Sequence, residues 1–315
     1  MKMSRNYIYR TLCFLGFLIG LGYSSNLHAQ QDAQFSQYMF NTMAFNPAYA
    51  GRAGLLNASL LYRAQWVGFE GAPQTQTLTA NTPLKNKSLA IGGSLYNDVL
   101  GPEQRFGFYG AFAYRIIFPK SKLSFGVNAG FDVFQGKFTD LDIIDQNDQA
   151  FQENIKGKFM PNVGFGVYYF SDKYYVGLSS PKLIQNTIYE PVEGTPSNGK
   201  QLMSFYFTAG YVFKINRDVK FKPALLFKFT QNAPAQLDVN LNFLFIDKFW
   251  LGAMYRPNSA YGFLFEYQIN DQLRFGYSLD ISTYELSLYN NGTHEFMLSY
   301  DFGYNRTKIR SPRYF

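Results

Sequence analysis

The sequence predicts an all-β fold, a transmembrane antiparallel β-barrel of about 14 strands preceded by a short N-terminal helical or plug segment. Three observations carry that reading: apolar and polar residues alternate in segment after segment, the connectors sort into short and long by turns, and an export signal stands in front. In the clearest segment Leu273, Phe275, Tyr277, Leu279 and Ile281 share one side, while Gln272, Arg274, Gly276, Ser278 and Asp280 share the other. A strand repeats its side-chain direction at every second residue, so each such segment gives a sheet one greasy face and one wet face.

Residues 1–29 read as a signal peptide. Lys2, Arg5 and Arg10 make its basic start, Thr11–Gly22 its apolar run, and Ser24–Ala29 a polar stretch suited to cleavage. The run is too short to cross a membrane comfortably as a helix. Cys13 lies inside it and is the only cysteine of the chain, so the mature protein is expected to have neither disulfides nor thiol chemistry. Losing the signal removes three positive charges from a formal net charge of +7, and the mild balance that remains carries no dense basic run of the kind that binds nucleic acid.

Aromatic residues make up 19% of the chain, with 33 Phe and 25 Tyr against only 2 Trp. A lipid-facing band with aromatic girdles uses that many rings; a water-soluble core rarely does. The mean hydropathy of −0.19 fits the same picture, because lumen and loop residues offset the apolar outer face.

In order, the predicted strands are Gly54–Trp66, Gln74–Thr82, Ser88–Asn97, Arg105–Phe118, Lys122–Phe134, Met160–Phe170, Lys173–Ser179, Gln201–Ile215, Val219–Thr230, Ala235–Ile246, Phe249–Arg256, Ala260–Ile269, Gln272–Leu288 and Thr293–Phe302. The even-numbered connectors are tight: Pro119–Ser121, Ser171–Asp172, Asn216–Asp218, Asp247–Lys248 and Asn270–Asp271. Most odd-numbered ones are longer, notably Gln135–Phe159 and Ser180–Lys200. Barrels have short periplasmic turns and long outer loops, which puts both ends of the chain in the periplasm. The thirteenth strand runs on through Tyr284, Leu286 and Leu288 to an Asn290-Asn291-Gly292 turn. That pattern predicts a hairpin rising above the membrane. The organisation is then a signal over 1–29, an N-terminal periplasmic or plug segment over 30–53, a barrel over 54–302 and a periplasmic tail over 303–315.

In the N-terminal segment Phe35, Tyr38, Met39 and Met43 keep helical spacing, and Asn46-Pro47 stops the helix because a residue before proline avoids the helical region. Two readings stand: an amphipathic piece packed on the rim, or a plug entering the lumen from the periplasmic side.

The same region opens a series of motifs. Phe45-Asn46-Pro47-Ala48-Tyr49-Ala50-Gly51 is followed by Tyr62-Arg63-x-Gln65-Trp66-Val67-Gly68, by Gly71-Ala72-Pro73-x-Thr75, and by Asn97-Asp98 with Gly101-Pro102; Ser311-Pro312-Arg313-Tyr314-Phe315 closes the chain. In this order, from about Gln30 to Phe315, they resemble the PorP/SprF family of outer-membrane proteins associated with the type IX secretion system. The resemblance implies a component that helps secreted cargo, such as the adhesins of gliding motility, reach or stay on the cell surface. It also implies contact with a periplasmic peptidoglycan-binding or secretion-machinery protein.

From the residues alone, Asn46, Pro47, Tyr49, Gly51, Arg63, Gln65, Trp66, Gly71, Ala72 and Pro73 are candidates for partner binding or for bracing the wall. Parity points Arg63 inward and Trp66 toward lipid, since an arginine facing hydrocarbon costs about 2–4 kcal/mol at mid-membrane. Asp140, Asp142, Asp145 and Asp148 form an acidic loop: calcium is conceivable there, although the loop lacks the glycine and closing glutamate of an EF-hand, and a solvated face or a docking edge for a basic partner is the plainer expectation. Arg310, Arg313 and Phe315 are candidates for a periplasmic contact.

Catalysis has little to work with, because one of the two histidines, His28, lies in the signal and the other, His294, opens the last strand alone. No cofactor or metal is expected. The classes left are a secretion accessory without chemistry of its own and, as the alternative, an outer-membrane diffusion or uptake channel. The expected partners are outer-membrane lipid, a type IX cargo protein and a periplasmic protein.

Overall fold

The computed structural model describes residues 34–140, 154–189 and 199–303. Its strands are β1 (Leu56–Ala64), β2 (Gln74–Pro83), β3 (Leu89–Leu100), β4 (Glu103–Ile117), β5 (Lys122–Gly136), β6 (Ile155–Phe170), β7 (Tyr174–Ser180), β8 (Ser204–Tyr211, resuming as Phe213–Lys214), β9 (Val219–Thr230), β10 (Gln236–Phe245), β11 (Phe249–Arg256), β12 (Ala260–Gln268), β13 (Leu273–Ser282) and β14 (Thr293–Phe302). Each pairs antiparallel with its neighbours in the chain, and β1 pairs with β14 from Leu56↔Phe302 to Ala64↔His294. The sheet is therefore a closed 14-strand barrel without a free edge. No helix among the described residues is long and apolar enough to cross a membrane; the strands do the crossing.

The wall is wet inside and greasy outside. In β13 the buried positions are Arg274, Gly276, Ser278 and Asp280, and in β1 they are Asn57, Ser59, Leu61 and Arg63. Large apolar side chains such as Phe106, Phe108, Phe112 and Tyr114 of β4 stand exposed on the outside. A band this extensive would aggregate in water and is stable only against lipid. At the short-turn end the rings of Tyr174, Tyr211, Phe213, Phe221 and Phe243 follow one another at centroid distances of 4.5–6.5 Å, which forms a girdle.

Several boundaries differ from expectation. The β3–β4 connector is only Gly101-Pro102, since Leu100 pairs with Glu103 and the ladder runs to the end of both strands. β6 begins at Ile155, so the acidic loop is shorter than the sequence implied. The thirteenth strand does not rise as an extended hairpin: it ends at Ser282, and Glu285–Tyr289 form a 3-10 helix. Asn291 N–H donates to Val67 O, and Val67 N–H to Gly292 O. Beyond the end of the β13–β14 ladder this connector finds its partners in the β1–β2 loop, so the two strands do not continue as a paired hairpin. Leu288 and Tyr289 are left exposed at 79% and 72%.

Candidate functional site

The lumen is occupied by the chain's own N-terminal segment. From Tyr38 to Ala50 most side chains are buried, among them Tyr38, Met39, Phe40, Met43, Phe45 and Tyr49. Of the two readings left open above, the plug is the one observed. It is not a continuous helix, because the backbone makes tight turns ending in two 3-10 pieces, Thr42–Ala44 and Pro47–Tyr49. It also runs opposite to the expected direction. Gln34 Nε2 donates to Asp238 Oδ2 at 2.8 Å, near the long-loop end of β10. Gly51 N–H donates to Asn81 Oδ1 at 2.9 Å, near the short-turn end of β2. The segment thus descends from the long loops to the short turns before β1 starts, and its first described residue is not at the periplasmic end.

Three groups of side chains hold it. At the top, Arg63 sits on the closure seam and is 3% exposed, inward as parity required. Its Nη2 lies 2.9 Å from Asp280 Oδ2 and its Nη1 lies 3.0 Å from Glu295 Oε2. The plug joins this cluster: Nη1 of Arg63 donates to Ser36 Oγ at 3.0 Å, and the N–H groups of Ser36 and Gln37 donate to Glu295 at 3.0 and 2.8 Å. Residues 36 and 37 thus add three hydrogen bonds to a buried cluster in which the guanidinium already pairs with two carboxylates. Beside this cluster, Arg256 grips Asp238 with both Nε and Nη2 at 2.6 Å, and Asp238 accepts from Gln34. Midway down, the Phe40 ring packs 5.7 Å from Trp250 with Lys222 Nζ 4.6 Å from its centroid, a cation–π contact in a dry setting. At the bottom, Asn46 caps the second 3-10 piece by accepting from Ala48 N–H at 3.0 Å, and its Nδ2 donates to Val167 O of β6.

The wall makes room for the plug with glycines. A Cβ on Gly126 would lie 2.3 Å from Ala48 N, one on Gly166 2.1 Å from Asn46 Oδ1, and one on Gly276 2.2 Å from Gln37 Oε1. Gly51 takes φ +69°, and a Cβ there would stand 2.6 Å from that of Ala90.

Above the plug a cavity of about 90 Å³ opens toward the long loops, lined by Phe35, Phe45, Thr75, Tyr96, Arg105 and Lys182 among others. One long connector folds down to it. Lys182 Nζ lies 3.1 Å from Asp132 Oδ2, while Tyr96, Tyr109 and Gln201 all donate to the same carboxylate. This recess is largely apolar with a few charged groups, a lining suited to an apolar side chain carried by a peptide.

The other candidates from the sequence are scattered. Pro47 and Tyr49 belong to the plug, where Tyr49 meets Tyr168 edge-on at 5.5 Å. Gln65 N–H donates to Pro73 O, and Gly71, with φ +73°, accepts from Gly101 N–H, so Gly71, Ala72 and Pro73 brace the neighbouring turn. Parity does not reach Trp66, for which it implied a lipid-facing side chain. β1 ends at Ala64; beyond it Trp66 turns to φ +45°, and its N–H meets Thr293 Oγ1 at 3.2 Å. Asp140 closes the short 3-10 turn Phe138–Asp140, whereas Asp142, Asp145, Asp148, Arg310, Arg313 and Phe315 lie outside the described residues. His294 accepts from or donates to Tyr277 Oη at 2.8 Å. Asp280, Glu295 and Asp238 were missed as site residues. Each sits at an inward position of a strand, and a carboxylate there was the available signal of a buried partner.

A closed barrel whose lumen is filled by its own N-terminal segment is an outer-membrane-type β-barrel of the plugged kind. Among solved structures it is similar to the CymD monoaromatic hydrocarbon channel, with a TM-score of 0.50 and 11% identity over 84% of this chain and 93% of that one. It is also similar to the KdgM porin in complex with disordered oligogalacturonate, with a TM-score of 0.36 and 8% identity over 78% and 99%. At these identities the likeness concerns the fold alone. The chain belongs to the family described as type IX secretion system membrane protein PorP/SprF, which it matches over residues 27–300. No curated protein is similar enough to match it by sequence.

The plug's direction has a direct test. The only native cysteine is Cys13. A Gln34→Cys variant should therefore label with a membrane-impermeant maleimide on intact cells, whereas Asn86→Cys, on a short turn, should label only after the membrane is breached. The reverse order would contradict the topology.

Proposed function

We propose that this protein is a non-catalytic accessory of type IX secretion, placed in the outer membrane after removal of its signal peptide. Its long-loop end receives an exported surface protein, and its short-turn end meets the periplasmic machinery. The observation that carries this reading is the filled lumen. A barrel shut by a segment tied to Arg63, Glu295 and Asp238 leaves its two faces as working surfaces. The connectors between β5 and β6 (137–154) and between β7 and β8 (181–203) are the first choice for contact with cargo such as a gliding adhesin, because their length exceeds what joining neighbouring strands requires. The recess beside Lys182 offers that cargo a place for an apolar side chain.

A diffusion or uptake channel would need the plug to leave. In planar bilayers the purified wild-type protein should therefore give no steady large openings, and sustained conductance would favour the channel. A deletion strain should lose one or more type IX cargo proteins from its surface. Normal display of all of them would overturn the secretory role.

A further inference from the structure

The short-turn end carries a one-sided distribution of charge. Four consecutive turns, those joining β2–β3, β4–β5, β6–β7 and β8–β9, bear Lys85, Lys87, Lys120, Lys173 and Arg217 against only Asp172 and Asp218, and Lys122 opens β5 beside them. Most of these side chains are exposed. The remaining two turns carry Asp247, Lys248 and Asp271, and Asp247 is already bridged to Lys220. The positive charge therefore covers an arc of the rim rather than the whole ring.

Positive charge also continues inward under that arc. The Phe170 ring, at the end of β6, has Arg52 Cζ at 4.7 Å, Arg115 Cζ at 5.4 Å and Lys122 Nζ at 5.8 Å from its centroid. Arg115 is 5% exposed; one of its terminal nitrogens donates to Ala50 O, and its Nε is buried without a partner. Three cations are thus gathered around one ring at the short-turn end of the lumen.

We propose that this arc is the docking surface for an acidic segment of a periplasmic protein. The inference rests on the accessory role and names the chemistry of its inner partner. Lipid headgroups surround a barrel on every side and do not reach its axis. They account neither for an arc confined to four of the six turns nor for cations gathered at the mouth of the lumen. A carboxylate-rich polypeptide laid across the opening meets both features, since its side chains reach the turns while one enters toward Phe170.

The test uses the full barrel in detergent and a fluorescent hexaglutamate peptide, with hexaglutamine as the neutral control. The wild-type protein should bind the acidic peptide, more weakly as salt rises. The triple variant Lys85→Glu, Lys87→Glu and Lys120→Glu should bind it about tenfold less well or worse, whereas Lys248→Glu, on a turn outside the arc, should bind it as wild type does. All three lysines of the triple variant are exposed turn residues, and an unchanged circular dichroism spectrum checks the fold. Equal binding by the triple variant would overturn the proposal. So would unchanged peptide binding alongside loss of co-purifying anionic phospholipid, which would assign the arc to lipid. Export assays keep the two readings apart. If deletion of the chain blocks export and the triple variant restores it in full, docking fails alone; if deletion leaves export intact, the secretory role fails and the peptide titration still decides the docking.

Discussion

Replacing Arg63 by Met should cost about 3–5 kcal/mol of stability, because it strands buried charge instead of merely deleting a contact. Asp280 and Glu295 are 3% and 0% exposed, and Arg63 is the cation within ion-pair distance of both. Without it, two carboxylates on the neighbouring strands β13 and β14 are left without their cation. Their mutual repulsion also weakens the acceptors that hold the N–H groups of Ser36 and Gln37. Urea unfolding of the detergent-solubilised barrel measures the loss. Limited proteolysis should show residues 34–52 becoming cleavable in the variant while the wall resists. Arg63→Lys should recover part of the stability, because a single ammonium replaces the charge but not the fork that spans both carboxylates and Ser36. A variant as stable and as protease-resistant as wild type would show that the cluster does not anchor the plug.

Replacing Gly126 by Val should expel the plug and open the pore. The first side-chain atom alone would stand 2.3 Å from the backbone nitrogen of Ala48 and 2.4 Å from the carbonyl carbon of Pro47. Backbone on both sides leaves no flexible chain end to swing aside, so the strain exceeds the roughly 1–3 kcal/mol typical of overpacking a core. The strand itself loses nothing, since valine suits a sheet better than glycine. The wall should therefore persist, with conductance in planar bilayers where the wild type has none. Gly93→Val is the matched control, as a Cβ there has its nearest neighbour, Tyr109 O, at 3.5 Å. Silence from the Gly126 variant, with the fold intact, would count against displacement.

The wall was legible because its signal is local. Alternation in Leu273–Ile281 depends only on which side of its own strand each residue faces, and the same parity placed Arg63 inward before any neighbour was known. Parity lost its hold where the ladder stopped. Trp66 lies two residues beyond Ala64, and Leu288 lies on a connector whose hydrogen bonds go to Val67 instead of continuing the strand. The plug was half legible. Its apolar spacing marked it as buried somewhere, but its direction depends on Glu295 and Asp238, more than two hundred positions away, and no window along the sequence joins them. Gly276 stood on the wet side of its segment; only the structure shows that Gly126, Gly166 and Gly276 lack side chains where Ala48, Asn46 and Gln37 fill the space. The anionic residues of the 140–148 stretch and the basic tail gave clear compositional signals with no geometry attached.

The tie between Ser36 and Glu295 joins the segment before the first strand to the last strand. Ser36 leaves the ribosome about 260 residues before Glu295, its hydrogen-bonding partner. Loop-closure entropy makes a tie of that span slow to form, so the stopper settles only as the ring shuts around it. A chain truncated before its final strand would therefore lack both halves of the lock at once: an unsealed wall and an N-terminal segment with nothing to fasten to.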